Sequence, residues 1–439
     1  MRTFLLLAVL CSAVAHAQPA PSPAGEWEGL VEFPGATLSM TLTLSHEGDE
    51  WGGSVDVPAY GIDGMPIAVT YVGADSLRVE MMGGAAALAG QFEESGSVVS
   101  GTVRQGTSEG SFVLARPNTP EAVALSGRLA AWEVEPSAHP DSARIVTEDI
   151  PRFWAAYDAS TPETRVEVLQ RDYFGRATPG LEDFLGVKIG SVERMAQIVD
   201  ERPRYYASIR PSMLRVHEAE PEIRAAFRRM EALYPDAVFP DVYFLVGRMN
   251  AGGTVSQRGL LIGAEMFGRT PETPDDELND WHRAVLAPVE ALPNVVAHEL
   301  IHYVQDLDVL DRTLLNQALV EGSADYLSEM ISADGGMFDA HIHDWADPRE
   351  EAVWCAFEAE MDQKDASRWI ANGGSDNRPD GLDYADLGYY VGYKISEAYH
   401  EQARAAGRSD SEVVYDILHI DDAEAFLEAS GYAERFACE

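Results

Sequence analysis

The chain has 439 residues, 46 % of them hydrophobic, and carries 73 acidic against 32 basic side chains, a net charge of −41. That apolar fraction excludes a disordered or collagen-like chain, and the length calls for two or three domains. The excess of acid argues against nucleic-acid and anionic-membrane partners, whose affinity comes from Lys and Arg against phosphate. Only three of the basic residues are lysines, at 188, 364 and 394.

Residues 1–17 read as an export signal: Arg2 supplies the charge, residues 4–14 the apolar run, and Ala15, His16 and Ala17 the cleavage site. Leu10 precedes Cys11 where lipoprotein signals carry a small residue, which argues against lipidation. No later stretch reaches the roughly 20 apolar residues that span a bilayer, so an exported, periplasmic or secreted product is expected. Cleavage leaves Cys355 and Cys438, either one disulfide or two free thiols.

Residues 18–116 form the expected accessory domain. After a Pro/Ala/Ser leader, eight β-type runs at 26–33, 37–45, 51–57, 66–72, 76–81, 87–92, 98–104 and 110–115 suggest an all-β barrel or sandwich. Leu38, Met40, Leu42 and Leu44 alternate with polar residues along one of them. Residues 117–140 read as a linker with a short helical stretch, and residues 141–439 as a mainly helical α+β domain. Its helices are expected at 149–158, 162–171, 180–185, 192–198 and 220–233, with buried strands at 241–246 and 259–265 around the turn 250–254.

The chemistry concentrates at His298-Glu299-Leu300-Ile301-His302, an H-E-x-x-H pattern. On a helix the two imidazoles lie one turn apart on one face, and Glu299 has the reach to take a proton from a metal-bound water. Zinc needs a third protein ligand and an open fourth position. A metzincin would place that ligand six residues after His302, where Asp308 stands, but Gln305 occupies the position of its turn glycine.

Downstream, Glu321-Gly322-Ser323-Ala324-Asp325-Tyr326 resembles the second helix of the gluzincins, and the region 237–436 looks like exported bacterial predicted zinc metallopeptidases with a zincin-like domain. The resemblance implies Zn²⁺ held by His298, His302 and Glu321, Glu299 as general base, and Asp325 as the carboxylate behind a ligand histidine. It also implies a peptide or protein substrate laid against an edge strand at 241–248 followed by 250–254, and a downstream Tyr389 or Tyr393 for the oxyanion, with His400 as the weaker choice. Glu329 is a fallback ligand. The pair His341 and His343 reads as a loop without function, and the acidic run 272–280 as a solvated surface. A non-catalytic envelope-binding protein and a hydrolase of a non-peptide bond are the alternatives. The oligomeric state is not legible.

Overall fold

The computed structural model describes residues 22–438 except for short stretches, the longest being 308–312 and 334–339. The expected export signal, Cys11 and Asp308 lie outside the described residues. The chain divides into two compact units, one ending at Trp132 and the other running from Glu133.

The first unit is a nine-stranded antiparallel meander: β1 (Gly25–Phe33), β2 (Ala36–Glu47), β3 (Glu50–Val57), β4 (Ile62–Pro66), β5 (Ala68–Val72), β6 (Ser76–Met81), β7 (Ala86–Phe92), β8 (Val98–Gln105) and β9 (Ser108–Ala115). The spatial order is β4-β3-β2-β1-β9-β8-β7-β6-β5. The two ends of this order are separated by Ile67 alone, whose N–H donates to Gly53 O on β3 at 3.2 Å, so the sheet is nearly closed into a barrel. Leu38, Met40, Leu42 and Leu44 point into one core with Trp27, Val79, Leu88 and Phe112. The strand not anticipated is β4, whose Asp63, Gly64 and Pro66 have little strand propensity. Helix α1 (Pro120–Trp132) lays Ala122 and Leu125 on Leu30, Val98 and Ala115, so the segment expected as linker covers part of the outer barrel face.

The second unit is mainly helical, with α2 (Asp149–Asp158), α3 (Arg165–Val168), α4 (Pro179–Phe184), α5 (Val192–Glu201), α6 (Pro203–Met213), α7 (Glu220–Leu233), α8 (Asp280–Val285), α9 (Leu292–Val304), α10 (Leu314–Ile331), α11 (Ala340–Ala346), α12 (Glu350–Glu358), α13 (Leu387–Ala405), α14 (Asp410–Leu418) and α15 (Ala423–Ser430). Its small sheet runs β10 (Ile145–Val146), β11 (Val242–Leu245), β13 (Gly259–Gly263) and β12 (Gly253–Ser256), in that spatial order. The edges are therefore β12 and the two-residue β10. Of the edge expected at 241–248 and 250–254, the first part contributes the central strand β11, buried along its whole length and paired on both sides, while the second reaches the edge with Gly253 and Thr254 of β12.

Three elements position the candidate site. Helix α9 starts with Pro293 in its first turn and ends where Gln305 turns extended. Helix α10 opens on a capping box between Thr313 and Asn316. Helix α13 follows Asp386, which holds a left-handed conformation. A methyl on Gly322 of α10 would stand 2.1 Å from the backbone N of Tyr393, and one on Gly392 of α13 1.8 Å from Ala318 O, so glycines let α10 and α13 pack backbone to backbone. Cys355 and Cys438 form a disulfide that fastens the C-terminal tail to α12. Among the described residues no helix is long and apolar enough to cross a membrane.

Candidate metal centre

The helix period brings His298 and His302 to one side of α9, and α10 presents Glu321 to them. The Nε2 atoms of the two histidines are 3.0 Å apart, and Glu321 Oε2 lies 3.1 Å from His302 Nε2 and 3.8 Å from His298 Nε2. Nitrogen and oxygen ligands at zinc-bond lengths around a tetrahedral centre stand about 3.4 Å from one another. The three donors therefore fit one ion, and among the described residues they form the one metal-competent cluster of His, Cys, Asp and Glu.

Both histidine tautomers are set from behind. His298 Nδ1 donates to Asp325 Oδ1 at 2.8 Å, and His302 Nδ1 donates to Gln305 Oε1 at 2.9 Å. Gln305 is oriented in turn, because its amide Nε2 donates to Val320 O and Ser323 Oγ, both at 2.9 Å. In its neutral form each ring thus keeps the Nε2 lone pair for the common point. Sequence reasoning singled out Asp325 one turn beyond Glu321, but treated Gln305 only as a departure from the metzincin pattern.

Electrostatics fit the same reading. Burial drives the Asp325 carboxyl well above the usual range, and the charge of Glu321 adds to the rise. Burial also works against a charged His302, but the charge and hydrogen bond of Glu321 outweigh it and hold the ring up at about 9. Buried groups of this kind need a cation among them, either a proton or a metal ion.

Glu299 is 6 % exposed and is raised chiefly by burial. Its carboxylate lies over Gly253 of β12, where a methyl would come within 2.3 Å of Oε1. Gly253 is absent from the positive-φ glycines of the chain, so it serves close approach and not a turn. Tyr389 lines the same cleft and hydrogen-bonds Glu321. Tyr393, one turn on, points elsewhere: its hydroxyl donates to Glu329 Oε2 at 2.5 Å, which corrects both Tyr393 as an oxyanion donor and Glu329 as a reserve ligand. His400 bonds Tyr326 at 2.5 Å and Asp410 at 3.1 Å, and is not among the cleft-lining residues.

The cleft holds about 850 Å³. Its walls add Lys188 and Trp281, to which no motif pointed, and Asn250, His341 and Asp386, which the sequence set in a turn, a loop pair and the start of a helix without linking them to the centre. His341 and His343 sit on helix α11, not in a loop, and His341 faces the cleft while His343 packs edge-on against Tyr393. Three non-glycine residues with positive φ flank this region: Met249 at 59°, Ala371 at 52° and Asp386 at 59°. Each such conformation costs on the order of 1–3 kcal/mol and persists where the surroundings enforce it. Asp386 and Asn372 do so by bonding each other's backbone N–H at 2.7 and 2.8 Å. The 247–249 segment is held by Glu265, which accepts from Gly247 N at 2.9 Å and Met249 N at 3.0 Å.

Fold and site together define a chain with a barrel-like β unit and a helical unit bearing a buried two-histidine, one-carboxylate centre. That helical unit is where kinship shows: a family model described as gliding motility protein GldB, labelled GldB_lipo, matches residues 139–434. The chain belongs to the GldB family. Neither the curated proteins nor the solved structures contain a match to it. The family overturns the gluzincin metallopeptidase resemblance and the peptidase function drawn from it, since the matching model is that of a gliding motility protein and not of a zinc peptidase. The physical reason is that H-E-x-x-H with a following Glu specifies how a metal is held, not which bond is presented to it. A lipoprotein family label accords with a chain exported to the cell envelope.

Proposed function

We propose that the protein is a zinc-dependent hydrolase of a non-peptide bond, working in the cell envelope as a component of a gliding motility machinery. His298, His302 and Glu321 hold the ion in a zincin-like arrangement of two helices. Bound there, zinc would lower the pKa of a water and polarise the bond to be cleaved. Glu299 takes the proton from the attacking water and passes it to the leaving group. The Tyr389 hydroxyl is bonded to Glu321, and it would stabilise a developing negative charge by turning its single O–H from Glu321 to the substrate. Gly253 keeps the Glu299 carboxylate in its place beside the edge strand.

The observation that carries this reading is Glu299. It is a buried carboxylate beside three converged donors without being one of them, and a purely structural ion has no use for it. The family supplies the motility context. Elemental analysis of the purified protein should give about one zinc per chain, falling sharply in His298→Ala and Glu321→Ala. Glu299→Gln should keep its zinc and lose at least about a hundredfold of the zinc-dependent turnover of 4-nitrophenyl carboxylic and phosphoric esters. A wild-type protein that stays zinc-free after reloading would end the metal assignment. Undiminished turnover in Glu299→Gln would end the assignment of the base.

A further inference from the structure

Lysine is rare in this chain, and one of the three faces the cleft. Lys188 lies in the π-helical turn Leu185–Ile189 that follows α4, ended by Gly190 at φ 81°. Its place is fixed by its own backbone: Lys188 O accepts from Asn250 Nδ2 at 3.0 Å and from Arg248 Nε at 3.2 Å, and Arg248 Nε also donates to Ile189 O at 2.8 Å. These bonds tie the turn to the segment that leads into β12, directly beside Glu299.

The side chain is not used in the same way. Among the described residues none gives the Lys188 ammonium a hydrogen bond or a carboxylate within ion-pair distance, although acids outnumber bases by more than two to one in this chain. Its charge is nevertheless felt at Glu299, which it favours in the ionised form. Among the described residues it is, apart from imidazoles, the one cationic side chain on a wall that carries Glu299, Glu321 and Asp386. A cation in an acidic cleft that makes no hydrogen bond or close ion pair to a described residue is available to a ligand.

We propose that Lys188 forms an anion subsite beside the metal centre, and that the substrate of the hydrolase carries a carboxylate or phosphate group close to the bond that is cleaved. This rests on the zinc hydrolase reading, which it deepens by naming the charge of the substrate. The acidic walls would repel such a group anywhere else in the cleft, so Lys188 also sets the direction in which the substrate lies. The remaining wall, with Met266, Phe267, Trp281 and Val285, is apolar and suits the uncharged part of the molecule.

Binding of small zinc-chelating hydroxamates to the zinc-loaded full chain tests this without turnover. Alkyl hydroxamates with two to five methylenes are compared, by calorimetry, with the same chains ending in a carboxylate or a phosphonate. The wild type should bind at least one anionic member about fivefold or more tighter than its neutral counterpart, a preference that shrinks in high salt. Lys188→Met should abolish the preference while binding the neutral hydroxamates as the wild type does, and Lys188→Arg should retain it. Whether carboxylate or phosphonate wins identifies the anion. Equal affinity for neutral and anionic ligands in the wild type, or a preference that survives in Lys188→Met, overturns the subsite. Failure of every hydroxamate to bind instead overturns the zinc centre.

Discussion

The proposed metal centre would depend on residues that supply none of its ligand atoms. Asp325 fixes the tautomer of His298, and Gln305 does the same for His302 while clamping the end of α9 to α10. Partners of this kind are typically worth about 10–100-fold in metal affinity. Asp325→Asn keeps the shape but its amide presents either a weaker acceptor or an N–H to His298, so zinc affinity measured by chelator competition should fall within that range. Gln305→Ala should cost less at the ion, because water can replace its carbonyl, and more in the tie between helices. An unchanged zinc affinity in Asp325→Asn would mean that His298 is oriented by packing alone. The two partners differ in legibility. Asp325 could be read from its spacing to Glu321, whereas Gln305 lies three residues past His302, where only the chain's turn after Val304 brings its amide back to the ring.

Among the elements, the α10 and α13 pair decides whether the carboxylate and the tyrosine reach the centre. Their contact is made through Gly322 and Gly392, whose missing side chains are occupied by the opposing backbone. Gly392→Ala would set a methyl against Ala318 O, a backbone atom that cannot swing aside. The helices must then separate, with a stability loss of about 3 kcal/mol or more in denaturant unfolding and a shift of Glu321 and Tyr389 that lowers zinc affinity. A variant as stable as the wild type would show that the helices have slack. The same pair explains what periodicity can and cannot deliver. Residues 220–233 and the alternation in β2 are amphipathic and read directly. Helix α10 and helix α13 are buried over much of their surface, so their apolar pattern places them on a helix without saying which face meets which. Tyr389 and Tyr393 share a side of α13 in projection, yet one turn of rise sends the first to the cleft and the second to Glu329. Strand order is also a tertiary matter, which is why the edge expected over 241–248 and 250–254 is met only by the second part, in β12, while the first is central.

At the scale of the whole molecule, sequence motifs conveyed the chemistry of holding a metal, while the family relation came from the long stretch 139–434, most of which carries no short motif. Stability has the same distributed character. The many exposed arginine pairs contribute little each, so the pH response of this acidic chain rests on ionisable groups taken into its interior, carboxyls and histidines alike. Glu265 is the clearest: burial outweighs its bonds from Gly247 and Met249 and lifts it from 4.5 to about 7. Since the folded chain then holds a proton the unfolded chain releases, this contribution is complete below about pH 4.5 and is lost as pH rises through 7. The full loss is on the order of 3 kcal/mol. Burial raises Asp149, Asp183 and Asp386 as well, so they push in the same direction. Burial lowers His282, His341 and His343, the last to about 4, and these push the other way as pH rises towards their usual value, so the contribution of Glu265 is read as the difference between the wild type and Glu265→Gln. Glu265→Gln cannot titrate, and its amide meets one of the two backbone N–H groups with a donor. It should start well below the wild type at pH 5 and draw closer to it by pH 8. Parallel curves for the two proteins would show that Glu265 is already ionised at pH 5, held there by the two backbone donors.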